Sequence, residues 1–173
     1  MQLDILMVIA EIAVALAGFS AIASNFSRDW TPEKSALLTN LLTHSGIALF
    51  ASMVPLIMSQ RVSDSLPQPM TLWFISSASY VFFASAYLCV ALLRSQKNAR
   101  FQQRLDRIFV ATFIIAVAAQ IYNLLSDAEA WIYLLAVLVN IAYAFLSFTM
   151  LMKPLVLDKP SNQLVPKRLG EDR

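Results

Sequence analysis

The stretch VIAEIAVALAGFSAIASNF, residues 8–26, decides the reading of the chain. It has the length and apolarity of a membrane-spanning helix, yet Glu11 lies inside it. A bilayer core about 30 Å thick takes roughly 20 helical residues. Five apolar runs of about that length recur along the 173 residues: 3–26, 36–58, 71–93, 108–125 and 131–152. Backbone groups in lipid must bond internally, so runs of this kind are helices. The composition agrees: 58% hydrophobic, 14% charged, mean hydropathy +0.64. A soluble domain of this size is rarely so apolar. The sequence therefore predicts an all-α integral membrane bundle of five transmembrane helices over 1–152, with a cytoplasmic tail over 153–173.

Charge placement orients the bundle. Arg28 and Lys34 lie between the first two runs. Arg94, Lys97, Arg100, Arg104 and Arg107 lie between the third and fourth, and Lys153, Lys159, Lys167, Arg168 and Arg173 follow the last. Arg61 alone falls on the other side, with Asp4, Asp64, Asp127 and Glu129. By the positive-inside rule the N-terminus is outside and the C-terminus cytoplasmic. Trp30, Trp73 and Trp131 sit at run ends, where an amphipathic ring favours the headgroup level. Thr31-Pro32-Glu33 combines a cap, a first-turn proline and an acid, and predicts that the second helix begins at Pro32. The first run lacks the basic flank of a cleaved signal peptide, and Glu11 interrupts its apolar core.

Counting at about 1.5 Å per residue puts Glu11, Gln120, Asn140, Ser79 and Tyr80 in one layer. A charge facing lipid costs a few kcal/mol. The expectation is that Glu11 turns inward and accepts hydrogen bonds from Gln120, Asn140 or Tyr80. Such a layer serves either as a clamp between helices or as an ion, proton or ligand site. Asp4, Glu11, Gly18 and Asn25 recur every seventh residue and form one stripe along the first helix. That stripe suits either a pore lining in an oligomer or the buried central helix of one bundle. For a single five-helix subunit the buried helix is the commoner arrangement.

The first hairpin carries its own set. Gly18 and Gly46 fall at similar depth and predict a close crossing of the first two helices. Ser20 stands level with His44, the single histidine, and their pairing is the simplest expectation. Gly18-Phe19-Ser20-Ala21 partly resembles the Gly-x-Ser-Gly signature of rhomboid intramembrane proteases, which would make His44 a base. The fourth position departs from that signature and the helix count differs. Pro55 should kink the second helix and free a carbonyl. One His and one Cys make no common transition-metal site, so no metal and no cofactor are expected.

The connection RSQKNARFQQRLDR sets Phe101, Leu105 and Ile108 on one side, with Lys97, Arg100, Arg104 and Arg107 around the other. That arrangement suits the surface of an anionic bilayer, although charges that merely enforce topology look the same. The basic surface is too small, and too poor in stacking aromatics, for nucleic acid. The proline-punctuated tail after Met152 reads as extended or disordered.

Ala10-Glu11-Ile12-Ala13-Val14, Gly18-Phe19, Trp30 and Pro55-Leu56 together resemble a group of uncharacterised small multi-pass bacterial inner-membrane proteins. Their first helix has an Ala-Glu-x-Ala-Val-x-x-x-Gly-Phe run. The resemblance covers about the first third of the chain, implies an inner-membrane location and implies no activity. Without an enzymatic signature, the leading expectation is a small homo-oligomeric channel or transport subunit with Glu11 in its polar layer. The second is a scaffold or accessory subunit of a larger membrane complex. An intramembrane serine hydrolase using Ser20 and His44 is third.

Overall fold

A computed structural model describes residues 2–26, 31–61, 69–95 and 103–157. The basic connection expected at the lipid surface and the tail lie largely outside that set: Lys97 and Arg100 are not described, nor are the side chains of Arg104 and Arg107, nor that of Asn25 on the first helix.

Five helices and no strand make up the described residues: α1 Gln2–Phe26, α2 Pro32–Arg61, α3 Pro69–Ser95, α4 Gln103–Leu125 and α5 Ala130–Leu157. Four contain stretches long and apolar enough to cross a membrane: Gln2–Ile22, Pro32–Gln60, Thr71–Val90 and Ala130–Lys153. In α4 the described apolar stretch is Val110–Leu125. Large apolar side chains are exposed on every helix, including Phe19, Phe50, Phe82, Ile115 and Phe145. Such surfaces suit hydrocarbon rather than water.

α2 begins where the sequence places it. The Thr31 hydroxyl accepts the Lys34 amide at 3.3 Å, and the Thr31 carbonyl accepts the Ser35 amide at 3.1 Å. These contacts satisfy amides that a helix N-terminus leaves without partners.

Packing makes α5, not α1, the central element. α5 touches each of the other four helices, while α1 packs only against α2 and α5. The α1 seam is Leu6, Ile9, Ala13, Leu16 and Ser20, all buried. Its alternating three- and four-residue steps keep these side chains on one face. The core continues through Ala48 and Ala51 of α2, Tyr80 and Ala84 of α3, Phe113 of α4, and Tyr133, Ala136 and Val137 of α5. Trp73 joins it, with its ring 5.8 Å from that of Tyr133. By contrast Trp131 stays exposed and its indole N–H donates to the Glu129 carboxylate.

The expected close crossing at Gly18 and Gly46 does not form. A Cβ on either glycine would meet nothing within 4 Å. Both glycines border open space, so their lack of a side chain is not needed for α1 to meet α2.

Candidate functional site

The central helix carries a buried polar tie at Asn140. Its side-chain nitrogen donates to the Tyr80 hydroxyl at 2.7 Å and to its own-helix Ala136 carbonyl at 2.9 Å. Those donations fix the amide orientation. The Asn140 oxygen then faces His44 Nδ1 at 3.0 Å, so Nδ1 must carry the proton it donates. Tyr80 completes the chain by donating to the Ala136 carbonyl at 3.5 Å. Together the bonds link α2, α5 and α3. Three rings from three helices enclose the imidazole: Tyr87 of α3 at 5.6 Å, Phe113 of α4 at 5.6 Å and Tyr143 of α5 at 5.4 Å. An imidazole so held is a fixed hydrogen-bond donor inside the bundle.

The expected polar layer is therefore only partly assembled. Asn140 and Tyr80 meet, and His44 joins them. Ser79 does not, since its hydroxyl donates to the Ile75 carbonyl at 2.9 Å. Gln120 also lies elsewhere and donates to the Ile132 carbonyl at 2.8 Å. The short turn between α4 and α5 sets Gln120 level with the first turn of α5; Asn140 lies about 12 Å further along that helix. Nor do Ser20 and His44 pair. Ser20 donates to the Ala17 carbonyl at 2.6 Å, a local bond that every mid-helix serine can make.

Glu11 departs furthest from expectation. It does not face Gln120, Asn140 or Tyr80; it is exposed on the outer face of α1. Asp4 and Gly18, seven residues to either side, are exposed with it. At about 100° per residue, Glu11 lies some 200° from buried Ala13, so the stripe runs opposite the packing seam. Among the described residues, the carboxylates Asp4 and Glu11 and the small Gly18 form a line on a face otherwise built from Met7, Val8, Val14, Ala15 and Phe19. The expectation of a buried central α1 falls with the same observation.

Two further buried polar side chains, Tyr133 and Asn123, tie the bundle. Pro55 has no amide to offer the Ala51 carbonyl four residues earlier. The buried Tyr133 hydroxyl of α5 donates to that carbonyl instead. The freed carbonyl was legible in the sequence; its partner was not. Asn123 was missed altogether, because it reads as one polar residue near the end of an apolar run. Its side chain accepts the Glu129 amide at 2.8 Å, donates to the Glu129 carbonyl at 3.1 Å and donates to Ser77 of α3 at 3.1 Å. Nearby Ala128 has a positive φ of 49°, which closes the turn.

Among the described residues no group of three or more His, Cys, Asp or Glu could hold a metal ion. No protein-family model, no curated protein and no solved structure matches the chain.

Proposed function

We propose that this chain is a subunit of a small homo-oligomeric channel or transport assembly in the bacterial inner membrane. In that assembly α1 of each copy faces a shared path, and Glu11 supplies its polar group. The observation that carries this reading is the outward position of Glu11, opposite the seam that packs α1 into its own bundle. In a lone protomer this carboxylate would meet hydrocarbon, at a cost of about 3 kcal/mol on insertion scales. A closed ring moves it to a hydrated axis and removes that cost. Gly18 and Ala15 on the same face let neighbouring helices approach.

The reading takes all five helices as spans, with the N-terminus outside. α4 is held between α3 and α5, both of which have spanning length, and this supports counting it as the fifth span. The side distribution of Lys and Arg supports the orientation.

Copy number and water access test the proposal together. Native mass spectrometry from lipid nanodiscs should find a closed ring of about four or more copies. With Cys89, the single cysteine, replaced by Ser, Glu11→Cys and Gly18→Cys should react with a membrane-impermeant thiol reagent. Ile12→Cys, about 100° round the helix, should not. A monomer whose Glu11→Cys is unreactive would overturn the proposal. A stoichiometric second protein covering α1 would favour the accessory-subunit reading instead.

A further inference from the structure

A cavity of about 240 Å³ lies between α2 and α3, with exposed Leu42, Phe50 and Phe83 among its walls. Its walls include Leu42, Gly46 and Phe50 of α2, and Tyr80, Phe83 and Tyr87 of α3. We propose that this groove is a binding site for one acyl chain of a membrane lipid. The proposal is independent of the assembly proposed above.

Position limits the occupant first. Every lining residue lies inside Pro32–Gln60 or Thr71–Val90, two stretches of membrane-spanning length. What reaches the groove must therefore come from the hydrocarbon layer. Chemistry limits it next. No Lys, Arg, Asp or Glu lines the walls. The Ser79 hydroxyl is engaged by the Ile75 carbonyl, and the Tyr80 hydroxyl by Asn140 and the Ala136 carbonyl. The walls offer mainly dispersion contacts to aliphatic and aromatic surfaces.

Shape then separates a chain from a helix. The α3 wall, from Ser79 to Tyr87, runs about 12 Å along the helix axis. A partner helix of that length, about 10 Å across, fills on the order of 900 Å³. All the empty space between the walls, the open side included, is about 660 Å³, short of a whole helix and ample for a single hydrocarbon chain lying parallel to the helices. Gly46 borders the open space: a Cβ placed there meets nothing within 4 Å. Phe50 and Phe83 flank the groove with their rings stacked at 6.5 Å, and both are exposed.

The test uses the full chain in nanodiscs that contain a phospholipid with a diazirine in its acyl chain. After irradiation, peptide mapping should show adducts on the groove residues of α2 and α3 in excess of those at Phe145, an exposed position on α5. Gly46→Leu, whose side chain enters the groove, should abolish that excess and leave labelling at Phe145 unchanged. Val54→Phe, in the same wall, is the second variant should Gly46→Leu fail to fold. Equal labelling of groove and Phe145, or an excess that survives a folded filling variant, would overturn the proposal. So would a second copy of the chain cross-linked at the groove.

Discussion

Asn140 sits where three helices exchange hydrogen bonds. Asn140→Leu leaves His44 Nδ1 without an acceptor and Tyr80 without a donor. Interhelical bonds in membranes are worth about 1 kcal/mol each, and a stranded buried group adds about 1–3 kcal/mol. The expected loss is thus on the order of 2 kcal/mol, read as reversible unfolding in detergent–lipid mixtures. In a double-mutant cycle, His44→Ala and Asn140→Ala should couple by more than about 0.5 kcal/mol. Additive effects would mean that the bond between them contributes nothing. Glu11 behaves differently at this scale. It lies on the outer face of α1, so Glu11→Gln should leave protomer unfolding within about 0.5 kcal/mol of the parent.

The second helix and its neighbour are tied by a repair. Pro55 opens the Ala51 carbonyl, and Tyr133 closes it from α5. Tyr133→Phe should cost about 1–2 kcal/mol in the parent chain, since the carbonyl is then stranded. In a Pro55→Ala background the helix can supply its own amide, and the same tyrosine change should cost much less. An equal cost in both backgrounds would separate the tyrosine bond from the proline. The turn between α4 and α5 makes a parallel case. Asn123→Ala removes the acceptor and donor that bind both backbone groups of Glu129, and should destabilise by about 2–3 kcal/mol, measured by the same unfolding assay. Ala128→Gly, at a positive φ, should be neutral or stabilising by about 1 kcal/mol, since glycine carries no Cβ penalty there.

For the whole molecule, the arrangement of helices separates the buried polar tie from the outward carboxylate. The buried tie is at the centre, on α5, and the carboxylate stripe is at the edge, on α1. A ring of copies around α1 would place one carboxylate per subunit on the shared axis. Such rings favour cations. Glu11→Gln should therefore weaken cation preference without changing copy number, and Glu11→Lys should reverse it. Reversal potentials in planar bilayers under a salt gradient read both. Identical selectivity in all three chains would remove Glu11 from the permeation path.

Particular elements show how far the chain could be read directly. Helices of membrane length follow from run length and apolarity, because lipid forces the backbone to bond within each run. The start of α2 follows from Thr31-Pro32-Glu33, since capping is a local interaction. The loss of a bond at Ala51 follows from Pro55 alone. Rotation of each helix about its axis does not follow. In water an apolar face marks the core, but in a membrane both the core and the lipid are apolar. The apolar pattern of α1 therefore leaves open whether Glu11 points inward or outward, and packing of Leu6, Ile9, Ala13, Leu16 and Ser20 against α2 and α5 is what turns it outward. Pairing across helices is undetermined for a related reason. His44, Asn140 and Tyr80 are 96 and 60 residues apart in sequence, and an offset of a single turn would give each a different partner. The sequence by itself determined the number and class of the helices, because those depend on local backbone bonding within each apolar run. Only the tertiary structure decided which polar groups face each other and which face away, because that depends on how side chains on five helices fit together.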